Sequence, residues 1–312
     1  MKTAMQSNTR LTGRRSKRWN VGLMMLSLPV VIWSVIFSYI PMFGVLIAFK
    51  DFKYSKGIFG SPWNGLDNFM YLFSSNDAAR ILRNTICYNL MFMLVGTVCA
   101  IAVALMLETV VNRRCIKLYQ TFIFLPYFVS WVVVSYMTSG LFSFDGGVLN
   151  RILGIFGKQV SWYNNVKPWP VILLIANLWK SIGFNTLMYY GALLGIDAEL
   201  YEAAEIDGAG KFKQIRCITI PLLRPTIIVM LILAVGNMMR ADFGLFYYIP
   251  KNSGALYAVT DVIDTYIYRA LKVSGDIAGS SATAFFQSVV GFVLVVTANA
   301  IVRKVDGENA MF

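Results

Sequence analysis

Charged side chains are scarce in this sequence, and a group that mixes acids and bases lies between residues 197 and 216. Five acids and three bases share that stretch with Ala203 and Ala204 and with Gly208 and Gly210. Small side chains and glycine turns allow another backbone to come close, and the acids can pair with bases of a partner. The stretch therefore indicates a docking surface for a soluble partner.

The residue inventory excludes several kinds of catalytic centre. The chain has no histidine, and its four cysteines show no CxxC spacing. A zinc or haem site and a Ser-His-Asp or Cys-His pair are therefore not expected, and we predict no metal site. The Gly-Lys strings at 154–158 and 208–211 lack the earlier glycine and the following Ser or Thr of a phosphate loop. We expect no cofactor on this chain, so any uphill work must draw on an ion gradient or another subunit.

The composition places these residues in a membrane protein. Of 312 residues, 57% are hydrophobic and only 14% are charged, and the mean hydropathy is +0.60. Although the formal charge is +12, the bases lie at the ends and in the loops between apolar stretches, which favours a membrane over a nucleic-acid partner.

The apolar stretches predict an all-α fold with six membrane-spanning helices, each long enough for a hydrocarbon core of about 30 Å. The first 18 residues are basic, and an even number of spans returns the chain to the same side, so both termini and the tail at 304–312 are predicted to be cytoplasmic. The six-span domain covers 19–303, with a cytoplasmic loop at 196–220. The predicted spans are about 21–48, 84–107, 119–141, 169–195, 221–240 and 280–302.

Within the loop, good helix formers with acids near the helix start precede two glycines, and helix resumes from Lys211 to Cys217 before Pro221 marks the entry to the fifth span. The loop resembles the EAA motif of the membrane permeases of bacterial binding-protein-dependent ABC importers, with Ile220 in place of the usual leucine. In that family this segment is the coupling helix, which fits a groove on the ATP-hydrolysing subunit. The resemblance assigns this coupling to Glu202, Ala203, Ala204, Glu205, Asp207, Gly208, Gly210, Ile218 and Pro221.

The sequences of residues 207–210 and 218–225 are similar to those of the carbohydrate-uptake branch, the relatives of the maltose permeases. Residues 261–269, 297–299 and 303–304 extend the resemblance to permeases for polysaccharides or complex oligosaccharides. The resemblance implies a bacterial cytoplasmic-membrane subunit without catalytic activity. Its implied partners are a second, unlike permease, two ATPase subunits that carry ATP and magnesium, an extracytoplasmic solute-binding protein, a sugar and membrane lipid, with no nucleic acid.

A sugar path needs hydroxyl partners and aromatic faces, and the predicted spans contain both. Amide and hydroxyl side chains repeat every four residues on the fourth span, and aromatic side chains form a stripe with Ser135 on the third. Lys180 and Arg240 are costly inside a bilayer, so each is expected to face a water-filled cavity or a paired acid, and Arg240 is a candidate partner for an anionic sugar group. The alternative is that these side chains only join helices or extend to lipid headgroups. The candidates are Tyr127, Trp131, Asn177, Lys180, Ser181, Asn185, Tyr189, Asn237, Arg240 and Asp242.

Three other functional classes fit the sequence less well. An ion-coupled secondary transporter usually places acids within its spans, whereas every Asp and Glu here lies in a loop or at a span end. An ATP-independent channel or membrane scaffold would have no use for the coupling segment, and copurification of an ATPase separates the two. The EAA pattern belongs to importers, which argues against an exporter.

Overall fold

The computed structural model describes residues 21–74 and 76–305. The predicted basic N-terminus at 1–18 and all but the first two residues of the predicted tail lie outside the described residues. The helices of the described ranges are α1 (Val21–Ser34), α2 (Gly57–Gly60), α3 (Asp67–Ser74), α4 (Asn76–Glu108), α5 (Arg113–Phe128), α6 (Trp131–Phe142), α7 (Val148–Ile155), α8 (Trp169–Leu193), α9 (Ala198–Ile206), α10 (Lys211–Gln214), α11 (Ile220–Gly236), α12 (Phe243–Tyr248), α13 (Tyr257–Thr260), α14 (Ile263–Lys272) and α15 (Ile277–Val305).

The chain divides into two units at residue 45. Of the first, the described residues form α1, a π-helical turn at Val35–Tyr39 and the start of a 3-10 helix that runs from Ile40 to Phe49. The second unit contains all later helices. Its described part has a single isolated antiparallel bridge, between Lys50 and Trp63, and no further strand pairing.

Five helical stretches in the described ranges are long and apolar enough to cross a membrane, and a bent pair, α5 with α6, provides a sixth candidate span. The all-α architecture with five or six spans agrees with the fold class predicted from hydropathy. The five stretches are Met24–Phe49, Asp77–Glu108, Trp169–Leu193, Lys211–Gly236 and Ile277–Lys304.

The third predicted span, 119–141, is not one continuous helix. Helices α5 and α6 meet at an angle of 94°, with Val129 and Ser130 extended between them. Pro126 lies in the last turn of α5, where it has no N–H to donate. Ser130 then caps α6 by accepting a hydrogen bond from the N–H of Val133 at 3.4 Å. Apolar composition predicts that a segment is buried in lipid or protein, but it carries no information about a bend.

The fifth predicted span, 221–240, is shifted in the structure. Helix is already present at Lys211 and continues without a break to Gly236. Pro221 is accommodated by a π-helical turn at Ile215–Thr219, which closes with a bond from Ile220 N–H to the carbonyl of Ile215. The wider turn keeps the backbone hydrogen bonds of the helix intact just before Pro221, which has no N–H to donate. Pro221 therefore lies inside a long helix instead of marking its start.

Helix α8 packs against α4, α5 and α11, and α15 packs against α3, α11 and α14. One core cluster surrounds Trp169 and Leu245, and another surrounds Tyr189 and Leu223. The second cluster includes Leu223, so the 211–236 helix is packed against α8 and α15.

Candidate functional sites: a charged turn and a helix break

Residues 197–214, the charged turn, close on themselves through local bonds. Asp197 caps α9 by accepting from the N–H of Glu199 at 3.1 Å. At the other end of α9, Gly208 adopts φ +75°, a conformation that side chains rarely allow. The N–H of Ala209 then reaches the carbonyl of Ala204 at 2.8 Å. This glycine-terminated helix end agrees with the turn predicted from the sequence.

The charged turn is joined to the long helix that follows it. The hydroxyl of Tyr201 lies 3.0 Å from that of Thr219, and Gln214 donates to the carbonyl of Ala209 at 3.1 Å. Gln214 and Thr219 are both buried. Buried polar groups that have their hydrogen bonds keep a fixed geometry, so these bonds hold α9 against the start of the 211–236 helix.

The outward face of the charged turn is both acidic and apolar. Glu202 and Glu205 are exposed, and Glu205 pairs with Lys211 at 3.3 Å. Beside them, Ile206 is 87% and Phe212 78% exposed, and sequence reasoning overlooked both; an apolar residue on each side of a glycine turn within a polar stretch is the signal that could have identified them. The other predicted coupling residues lie on α9, in the turn or along the long helix: Ala203, Ala204, Asp207, Gly210, Ile218 and Pro221.

The long helix ends at Gly236, and residues 237–242, the break segment, are not helical before α12 begins. Backbone groups without helical partners are costly away from water, and here side chains of three other helices supply their partners. These bonds run from Asn89 Nδ2 to the carbonyls of Met238 and Arg240, both at 2.9 Å, from Gln287 Nε2 to the carbonyl of Met239 at 2.7 Å, and from the N–H of Ala241 to Asp264 Oδ2 at 2.7 Å.

The last residue of the break segment, Asp242, makes a further tie, to α6. One of its carboxylate oxygens caps α12 by accepting from the N–H of Gly244 at 2.9 Å, and the other accepts from Trp131 Nε1 at 2.7 Å. Gly244 has no room for a side chain, because a Cβ there would lie 2.1 Å from the Trp131 ring. Asp242 therefore fixes both the start of α12 and the orientation of the tryptophan.

Lys180 on α8 binds backbone carbonyls at the end of α5. Its Nζ donates to the carbonyl of Tyr127 at 3.2 Å and to that of Val129, and it lies 5.0 Å from the centre of the Trp131 ring. These carbonyls end α5 at the 94° bend, where no helical donors remain for them. Of the two roles that the sequence left open for Lys180, the geometry supports joining helices.

The other predicted path residues are only partly brought together. Trp131 and Ser135 share α6, and Ser135 donates to the carbonyl of Tyr248 at 2.7 Å; Tyr127 lies across the bend on α5, so the predicted stripe is interrupted. The Tyr127 ring stacks on Phe184 at 5.3 Å. Tyr189 is buried in the core and is only 1% exposed.

On α8, Asn177, Ser181 and Asn185 are half-buried at four-residue spacing. The Ser181 hydroxyl donates to the carbonyl of Asn177 at 2.8 Å, a bond within its own helix. Asn237 and Arg240, both exposed, line a cavity of about 260 Å³ between α11 and α15. The predicted grouping of Asn237, Arg240 and Asp242 thus lies on the break segment, beyond the end of the long helix.

An aromatic cluster next to the break segment was not predicted. Phe243 stacks on Tyr247 at 4.8 Å, and Tyr268 of α14 lies 4.9 Å from Phe243 and 5.0 Å from Tyr247. Tyr248, which is 37% exposed, lies edge-on to Tyr247 at 5.3 Å. Aromatic faces with hydroxyl groups at their edges can hold a pyranose ring. Four aromatic residues within residues 243–248 were the available signal.

Asp264, on α14 outside the membrane-spanning stretches, has an altered acidity. Burial raises the pKa of its carboxyl above the ordinary value, and the bonds from Ala241 and Gln287 and the charge of Arg240 oppose that rise. Burial has the larger effect because it disfavours the charged form directly.

Among the residues that the structure describes, no group of three or more Cys, Asp or Glu side chains could hold a metal ion.

The chain matches a family model described as "Binding-protein-dependent transport system inner membrane component" over residues 93–307. It is 38% identical over 291 residues to protein LplB of Bacillus subtilis (strain 168), covering 92% of this chain and 90% of that protein. It is 33% identical over 288 residues to the polygalacturonan/rhamnogalacturonan transport system permease protein YteP of the same organism, covering 92% and 89%.

Solved structures resemble the chain over nearly its full length. One is a bacterial ABC transporter involved in the import of the acidic polysaccharide alginate, with a TM-score of 0.83 and 32% identity, covering 92% of this chain and 96% of that one. Another is a bacterial alginate ABC transporter in complex with an alginate pentasaccharide-bound periplasmic protein, with a TM-score of 0.82 and 32% identity, covering 91% and 95%.

Proposed function

Because the chain belongs to the family of binding-protein-dependent transport system inner membrane components, we propose that it is the permease subunit that carries oligosaccharides or polysaccharide fragments in an ATP-driven importer. The observation that carries the proposal is the charged turn. It presents acids beside exposed Ile206 and Phe212, and it is bonded to a helix that ends at the break segment. A surface of this kind suits a soluble subunit that must move the helix.

In this proposal, two ATPase subunits with ATP and magnesium bind the charged turns of this chain and of a second, unlike permease. The turn and both termini then face the cytoplasm, and an extracytoplasmic solute-binding protein delivers the sugar from the other side. Apolar side chains in a polar rim are typical anchors of protein interfaces. The anchors would be Ile206 and Phe212, with Glu202 and Glu205 paired to basic groups of the ATPase.

The 211–236 helix links the two sites mechanically. At 1.5 Å per residue its 26 residues span about 39 Å. Movement of the turn is then transmitted to the break segment, where the cavity opens or closes. Alternating access needs contacts that differ between two states, and we assign these to Asp242, Trp131 and the aromatic cluster at Phe243, Tyr247, Tyr248 and Tyr268.

The test is ATP hydrolysis by the whole assembly. The chain is coexpressed with the neighbouring permease, ATPase and binding-protein subunits, purified through a tag on this chain and placed in liposomes with a panel of oligosaccharides. We expect stimulation by one class of sugar in the presence of the binding protein, and its loss when Glu202→Lys is combined with Gly208→Asp.

Asp145→Lys is the matched control, since Asp145 is an exposed acid in the loop after α6. It should leave the stimulation in place. If no ATPase copurifies with the intact chain, the coupling proposal is wrong and an ATP-independent channel or scaffold becomes the better explanation.

A further inference from the structure

Arg240 differs from the other cation of the proposed path in what its side chain does. Lys180 is bound to two carbonyls and an indole ring. Arg240 is exposed and has no ion pair within 4.0 Å among the described residues. Its charge acts on Asp264 through space, but none of its five side-chain N–H donors makes a hydrogen bond among the described residues, so they are available for a ligand.

The backbone of Arg240 is nonetheless held firmly. Its carbonyl accepts from Asn89, the preceding carbonyl accepts from Gln287, and the following N–H is bound to Asp264. A fixed backbone with a free side chain is a preorganised arrangement, since little backbone entropy is lost when a ligand binds.

The cavity beside Arg240 supplies further polar groups. It has a volume of about 260 Å³, enough for part of one sugar unit. Asn237 uses one N–H on the carbonyl of Leu233 and keeps its second N–H and its oxygen, while Ser288 lies across the cavity on α15. An anionic group between Arg240 and Asn237 would receive charge-assisted bonds from the arginine and a bond from the amide.

Asp264 binds the backbone next to Arg240, and the charge of Arg240 acts on its carboxyl. Its Oδ2 accepts from Ala241 and Gln287, so it is turned toward the backbone and the buried amide. Burial raises its pKa, and the charge of Arg240 opposes that rise.

We propose that Arg240, with Asn237 and the cavity between α11 and α15, is a subsite for the carboxylate of an acidic saccharide, and that the cargo of this permease is therefore a uronate-containing oligosaccharide. This inference rests on the proposed transport function. It assigns to Arg240 the choice between acidic and neutral sugars.

The test compares a galacturonate tetrasaccharide with its fully methyl-esterified form, which has the same length and hydroxyls but no charge. Binding of each to the complete transporter in nanodiscs of zwitterionic lipid is measured by calorimetry. We expect the acid to bind about tenfold or more tightly than the ester, as a bond to a charged group would give. Arg240→Gln should abolish that preference, and Arg240→Lys should retain part of it.

Arg151→Gln is the control, because Arg151 is an exposed arginine on α7, and it should keep the preference of the unmodified protein. Equal binding of acid and ester, or a preference that survives Arg240→Gln, overturns the subsite while leaving sugar transport intact. Binding of neither form, together with no ATPase stimulation by any sugar of the panel, overturns the transport proposal itself. If Arg240→Gln changes only the response to added anionic lipid, Arg240 is a headgroup anchor and the subsite is wrong.

Discussion

The charged turn and the break segment both interrupt helices, yet they satisfy their backbones in opposite ways. In the turn the bonds are local, such as Ala209 to Ala204, and the side chains Ile206 and Phe212 are left outward. In the break segment the backbone partners come from α4, α14 and α15, α6 bonds the Asp242 side chain, and the ties reach 151 residues along the chain from Asn89 to Arg240. A local turn can dock as a unit, whereas a segment tied from four helices responds to any shift among them.

The largest expected effect tests the outward surface of the turn. Phe212→Ser combined with Ile206→Asp should remove the two apolar anchors and weaken ATPase binding by roughly 30-fold or more, since a buried interface anchor contributes about 2 kcal/mol or more. The measurement is the amount of ATPase that copurifies with the chain at fixed subunit concentration.

Ile155→Asp is the matched control for that prediction, because Ile155 is 80% exposed on α7. It should leave copurification unchanged. If the turn variants retain the ATPase as well as the control does, the turn is not the docking surface.

The next effect tests the long-range ties of the break segment. Gln287→Leu keeps the approximate size of the side chain but leaves the carbonyl of Met239 without its side-chain donor and Asp264 Oδ2 with only the N–H of Ala241. The cost of stranding buried polar groups is about 1 to 3 kcal/mol, so Tm should fall by several degrees in a thermal unfolding assay. Asn237→Leu removes an exposed bond within one helix and should change Tm much less; equal losses would mean that the ties do not hold the segment.

A smaller effect is expected for Trp131→Phe, which retains an aromatic ring but loses the Nε1 bond to Asp242. One hydrogen bond to a charged group contributes about 1.5 to 3 kcal/mol, and part of it is recovered by water because Asp242 is exposed. Trp179→Phe, at a tryptophan that is 39% exposed, is the comparison. Sugar-stimulated hydrolysis should fall with Trp131→Phe alone, and a similar fall in both variants would exclude a specific role for the bond.

The smallest effect concerns Asp264. Its folded pKa is raised by burial, so its contribution to stability is fully present below the ordinary aspartate value of about 3.9 and is lost as pH rises through the raised value. The Tm of the unmodified protein minus that of Asp264→Asn should therefore increase as pH is lowered from neutrality toward that ordinary value. If the difference in Tm between the two proteins does not change with pH, the ionisation of the buried Asp264 carboxyl is not its source.

The same contrast explains which features the sequence could predict. Long apolar stretches have the length of a bilayer crossing, so the all-α fold could be predicted from the sequence. The glycines and caps of the charged turn act on residues within five positions, so the turn could be predicted as well. Trp131 and Asp242 are 111 residues apart, and Gln287 and Met239 are 48 apart. Contacts of that range depend on how helices pack, which periodicity and spacing do not encode.

The bend at residues 129–130 was not predicted, and the role of Lys180 was left open, for a related reason. Pro126 signals a weakened helix, but the direction of the bend depends on the neighbouring α8, whose Lys180 binds the freed carbonyls. An isolated lysine in an apolar stretch is equally compatible with solute binding and with helix joining, and only its neighbours decide between them.

The ties of the break segment have a consequence for how such a protein can diversify. Asn89, Gln287 and Asp264 hold the backbone around position 240, and none of the bonds they make involves the side chain that position 240 carries. That side chain can be exchanged for a neutral, a shorter or an aromatic one without rebuilding the surrounding helices. Under the proposed carboxylate subsite, a single replacement at position 240 changes the preference for cargo while the hydrogen bonds that hold the backbone stay in place.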